Sequence, residues 1–87
     1  MSDPEDIITE METKNPEALY PTGFEDAIRE IVYKDGTPVF KLSMRACVDI
    51  LMNRDGMSEE EAIEFFEFNI HGAYMGKQNP VYAHDLF

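Results

Sequence analysis

Glu60, Glu64, Glu67 and His71 have the spacing in this 87-residue chain most suggestive of chemistry. Steps of four, three and four residues put all four side chains on one face of an α-helix. Such a row can hold a cation, move a proton or present negative charge to a basic partner. Metal binding would use Glu67 and His71, four apart, with Glu64 one turn earlier. Helices that bind zinc place two His four apart with a Glu between them, and this helix has one His, while His84 lies in the tail. A Glu–His pair at i, i+4 is ordinarily a surface salt link. General acid–base work needs burial to set one carboxyl apart from the rest, which a row of exposed Glu does not provide. A nucleophilic Cys47 would need His71 or His84 beside it, yet Cys47 shares the inward face of its helix with Ala46, Ile50 and Leu51. Free Cys in that position behaves as a small apolar residue. Phosphate-cradling Gly-rich loops are missing. The residues therefore predict no catalytic, cofactor-binding or metal site, and no enzyme.

Two readings of the row remain: a solvated helix face, or a docking surface built from Glu60, Glu64, Glu67 and His71. Phe68 and Tyr74 flank the main apolar stripe and supply aromatic anchors for the second reading. Imitation of DNA is limited by density. At about 1.5 Å per residue three Glu cover roughly 10 Å, where duplex DNA places about six charges. One helix falls short unless the N-terminal acids or a second subunit extend it.

The totals restrict the partner. A formal net charge of -11 repels phosphate backbones, so the expected partner is a basic protein surface and not nucleic acid directly. No apolar run has the length of a membrane span or a signal-peptide core, which predicts no membrane association and a cytoplasmic protein. The single Cys47 fits a reducing compartment. Eighty-seven residues allow one domain, near the lower limit for a sufficient core. Six Phe, four Tyr and six Met must fill that core.

The elements that position the row can be read from caps and periodicity. Residues 1–16 are acidic, with Asp3, Glu5, Asp6, Glu10 and Glu12 against Lys14. Asp3-Pro4 suits a helix start and Ile7, Ile8 and Met11 form a narrow stripe, so this segment is either a short helix or disordered. Residues 17–87 are expected to form a single helical domain with an irregular tail. Thr22 and Glu25 have the spacing of a capping box, and Phe24, Ala27, Ile28, Ile31 and Val32 follow a helical face. A strand over Ala27–Tyr33 competes, but strict alternation would set Arg29 and Glu30 among the inward positions. A helix ending at Asp35-Gly36 is therefore expected. Pro38–Leu42 is the best strand, with Pro80-Val81-Tyr82 able to pair against it. Ser43 caps a second helix that Gly56 stops, and Ser58 and Glu61 form a capping box for a third. The buried face of the third helix is read as Ala62, Phe65, Phe66, Asn69, Ile70 and Ala73, with Gly76 at its end.

The string Cys47–Met52, Arg54–Met57, Glu60-Glu61-Ala62, Phe65-Phe66, Phe68-Asn69 and Gly72-Ala73-Tyr74, ending at Gly76, resembles a family of short uncharacterised phage and prophage proteins. Gly23–Ile28 resembles that family's opening segment, so the likeness spans roughly Gly23 to Gly76. It implies a viral origin and carries no activity. The expected fold is α+β and predominantly helical, with three main helices and one short strand pair. The expected function is non-enzymatic: an acidic phage-type protein docking on a basic surface of a host or phage protein, such as a nucleic-acid-binding or defence factor that it inhibits. The alternative is a homo-oligomeric accessory protein, a homodimer joined at the Gly72-Ala73-Gly76 end, whose acidity serves solubility.

Overall fold

The computed structural model describes residues 3–71 and 76–86 and begins with helix α1 (Pro4–Lys14). Pro4 stands in the first turn, where its missing N–H costs no hydrogen bond. Ile7 and Met11, one turn apart, are buried, and their helix lies against the first two strands.

The segment read as a helix from Thr22 is mostly a strand. The Thr22–Glu25 box does not form; a Glu25 carboxylate oxygen accepts from the Gly23 N–H at 3.4 Å, and Glu25–Ala27 makes one 3-10 turn. Strand β1 (Ile28–Lys34) follows and pairs antiparallel with β2 (Thr37–Ser43). Asp35 and Gly36 close the hairpin with φ of 52° and 81°. Positive φ at both positions is the two-residue loop whose twist matches a strand pair, and Asp-Gly is its preferred sequence. The same dipeptide also suits a helix stop, so by itself it does not distinguish a hairpin from a helix end. A β-bulge explains why alternation failed as a test. Ile28 opposes Leu42 and Glu30 opposes Lys41, so Arg29 is an extra residue on β1. The bulge shifts the phase, and Ile28 and Ile31, three apart as on a helix, both pack on the core.

The expected strand pair is also corrected: among the described residues the sheet has three strands in the order β1-β2-β3, with β3 (Val81–Ala83) parallel to β2. Lys41 pairs with Val81 and Ser43 with Ala83. Phe40 and Leu42, two apart on one face of β2, enter the core with Ile28. Helices α2 (Met44–Asp55) and α3 (Glu59–Phe66) complete it through Cys47, Val48, Leu51, Ala62 and Phe66.

Ser43 ends β2 and caps α2: its Oγ accepts from the Ala46 N–H at 3.0 Å. The same hydroxyl donates to Asp85 at 2.5 Å, and Asp85 also accepts from the Arg45 N–H at 2.9 Å. Thus a carboxylate from the far end of the chain sits at the positive end of α2. Burial works against the Asp85 carboxylate, but the Ser43 hydroxyl and the backbone N–H groups of Arg45, Asp85 and Met44 outweigh it and hold the carboxyl below its usual range. Gly56, with φ of 69°, ends α2 in the left-handed region. In the Ser58–Glu61 box each residue's side chain accepts from the other's backbone N–H, at 3.2 and 2.9 Å.

Two stability measurements follow. Gly36→Val forces a β-branched residue to positive φ and is expected to cost about 1–2 kcal/mol in urea unfolding. Asp85→Asn is expected to cost about 0.5–1 kcal/mol at neutral pH, a value reduced for the solvent around the carboxylate. Because folding depresses the Asp85 carboxyl, its contribution is present above about pH 4 and is lost as pH falls through the folded value. The gap between wild type and Asp85→Asn should therefore be constant from pH 7 to 5 and close on further acidification.

Candidate functional site

Only part of the expected buried face of α3 is buried. Ala62, Phe66 and Ile70, spaced by four, lie inside, whereas Phe65 is 37 % exposed and Asn69 lies on the surface. Phe65 stands at the flank of the regular α-helix, and for Asn69 the cause is a π turn over Glu67–His71. Its i→i+5 bonds carry more residues per turn than an α-helix. A spacing of four then stays in line with the core, and the positions one short of it rotate outward. Asn69 is therefore not a buried amide; its Nδ2 donates to the Phe65 carbonyl of its own helix at 3.3 Å. Ala73 lies outside the described residues.

The residues singled out for docking are not all on one straight helix. Glu60 and Glu64 stand exposed on α3, and Glu67, Phe68 and His71 belong to the π turn. Phe68 is 78 % exposed. Tyr74 lies outside the described residues. The α3 carboxylates differ in what they already do. Glu59 meets the Arg45 guanidinium at 3.3 Å, and Glu61 is held in the capping box, where the Ser58 N–H lowers its carboxyl. Glu67 lies 3.5 Å from His71 Nδ1. Among the described residues no basic side chain pairs with Glu60 or Glu64.

Beside this row runs an open groove of about 430 Å³ lined by Met57, Glu61, Glu64, Phe65, Phe68 and Asn69. Met57, Glu61, Phe65 and Phe68 follow one another at steps of four, four and three, a spacing legible in the sequence. It was hidden because Phe65 and Asn69 also fit the core stripe.

Around His71 the structure gathers residues that sequence distance kept apart. Its ring stacks on Phe66 at 5.7 Å, Tyr82 meets both edge-on at 5.5 and 5.1 Å, and His84 is 6.2 Å away. His84 is thus within reach of His71, contrary to the expectation from its place in the tail. The pairing of β3 with β2, expected from Pro80-Val81-Tyr82, brings it there; its consequence for His84 is not drawn from the sequence. Burial raises the Tyr82 hydroxyl above its usual range, with Cys47 adding to the effect. Among the described residues no three His, Cys, Asp or Glu side chains gather closely enough to hold a metal ion. No helix among them is long and apolar enough to cross a membrane.

Cys47 is fully buried. Burial pushes its thiol up to about 12, the nearby Asp85 charge pushes the same way, and Arg29 opposes them weakly. Attack by sulfur requires the thiolate. A chromogenic disulfide reagent at pH 8 should modify Cys47 at least about a hundredfold more slowly in the folded protein than in urea. Equal rates would contradict this placement.

Comparison of the chain with protein-family models, with curated proteins and with solved structures finds no match, so the chemistry of the α3 face has to be read from its own residues.

Proposed function

We infer that this chain is a non-enzymatic, acidic binding protein of phage type that docks through the outer face of α3 on a basic surface of a host or phage protein. The observation that carries the reading is the juxtaposition on one face of an exposed ring, Phe68, and two carboxylates, Glu60 and Glu64, that have no basic partner among the described residues. Docking surfaces combine such aromatic anchors with charge that steers the encounter. A net charge of -11 favours a positive partner at long range and disfavours a phosphate backbone. The resemblance over Gly23 to Gly76 supports the phage setting, and with it a place in the bacterial cytoplasm. In its most concrete form the partner is a nucleic-acid-binding or defence protein whose basic surface is occupied and so inhibited. α1 carries the other acidic block but lies against β1 and β2, while α3 lies against α2. Duplex-like charge density is therefore not what recommends this face.

The test is capture from bacterial lysate by the immobilised chain at low and high salt, beside a Glu60→Lys/Glu64→Lys/Glu67→Lys variant. A discrete basic protein should be retained by the wild type at low salt, released at high salt and missed by the variant. Retention of nothing at low salt, or of the same protein by the variant, sinks the reading. Under the alternative, a homo-oligomeric accessory protein, light scattering would give a multimer whose mass ignores both salt and the three substitutions.

A further inference from the structure

The groove beside α3 adds shape to the acidic row. The Phe65 and Phe68 rings, 37 % and 78 % exposed, stand along it with Met57 at one end. A face that serves only hydration gains nothing from holding two phenyl rings in water, where each exposes apolar area that burial would stabilise. The π turn contributes here, because it turns Phe68 and Asn69 to the groove side while Ile70 stays in the core.

The form of the occupant follows from what the face offers. The backbone groups of α3 are occupied within the helix, so the face offers no free strand edge for an extended peptide. What it offers is a ridge of side chains at helical spacing, and such ridges pack against the grooves of another helix. Phe65 and Phe68 are separated by about 4.5 Å of helix rise, within the reach of two apolar residues three or four apart on a facing helix.

Charge selects among helices. Glu61 and Glu64 line the groove, and neither Glu60 nor Glu64 has a basic partner among the described residues. A second copy seated here would bring the same carboxylates and another net charge of -11. Like charges in direct contact disfavour that arrangement, whereas Lys or Arg flanking an apolar stripe would meet Glu60 and Glu64 within a Debye length.

We propose that the α3 groove seats a basic amphipathic helix of another protein, its apolar residues on Met57, Phe65 and Phe68 and its cations on Glu60 and Glu64. This rests on the basic-surface reading and names the class of partner.

Three labelled peptides of about 18 residues, long enough for a bound helix, separate the possibilities by fluorescence anisotropy. One is a Lys/Leu amphipathic sequence, one has the same composition scrambled to remove its apolar face, and one is a Glu/Leu counterpart. The Lys/Leu peptide should bind the full chain and shift the amide resonances of Met57 to Asn69. Phe68→Ser should weaken it about tenfold or more. Glu60→Gln with Glu64→Gln should weaken it at low salt and flatten its salt dependence. Phe68 is exposed, so the thermal melt of Phe68→Ser should match wild type, and Phe65→Ser gives a second reading of the groove. Equal binding of the scrambled peptide, unaffected by Phe68→Ser, overturns the helix proposal and leaves the basic-surface reading standing. Failure of both basic peptides at low salt overturns both. Equal binding of the Glu/Leu peptide, or self-association that Phe68→Ser abolishes, assigns the groove to an uncharged selection or to a second copy and also overturns the proposal.

Discussion

Ser43 is where a strand becomes a helix and where the end of the chain is fastened. It is 3 % exposed, and a buried hydroxyl needs partners or it destabilises the fold. Its oxygen accepts from the first turn of α2 and its proton goes to Asp85, so one group serves both the helix start and the tail. Its backbone position pairs with Ala83 in the parallel ladder. Three residues of β3 would be marginal by themselves. They hold because Asp85 is bound at the positive end of α2 and Leu86 is buried just beyond it.

The surface of the third helix depends on that fastening. With β3 in place, Tyr82 packs edge-on against Phe66 and His71. Phe66 then points inward with Ala62 and Ile70, and the π turn keeps the three in line. The opposite side of the same helix is left with Phe65, Phe68, Glu60 and Glu64. Which side of α3 is core and which is groove is thus settled at the sheet.

The acidity divides by role. Asp49 and Glu59 hold Arg45, Asp55 holds Arg54, Glu61 closes a capping box and Asp85 caps α2. These carboxylates are used up in local structure. Among the described residues Glu60 and Glu64 are left over beside exposed rings, and α1 with its N-cap Asp3 carries a further exposed set, Glu5, Asp6, Glu10 and Glu12, on another part of the fold. A large net charge therefore leaves only a small unspent patch at the groove.

Local chemistry made much of this protein legible in its residues. The Ser43 cap, the Gly56 stop and the Ser58–Glu61 box follow from backbone groups that must find partners within a few residues, and the sequence states those partners directly. The Glu67–His71 pair is local for the same reason. Phase was not legible: the bulge at Arg29 and the π turn at Glu67 each move side chains by a fraction of a turn, and periodicity assumes a constant one. Thus β1 resembled a helix and Asn69 resembled core, while Phe65 stands at the flank of α3, where stripe and surface meet. Asp35-Gly36 suits a hairpin loop and a helix stop alike, and only pairing with β2 chose between them. The apolar run Pro80-Val81-Tyr82 announced its pairing with β2, but the contact of Ser43 with Asp85 across forty residues leaves no trace in the neighbouring sequence. By itself the sequence determined the charge, the caps of α2 and α3 and the aromatic content; the tertiary structure decided which of those acids and rings face solvent together, because that depends on which strand the tail can reach.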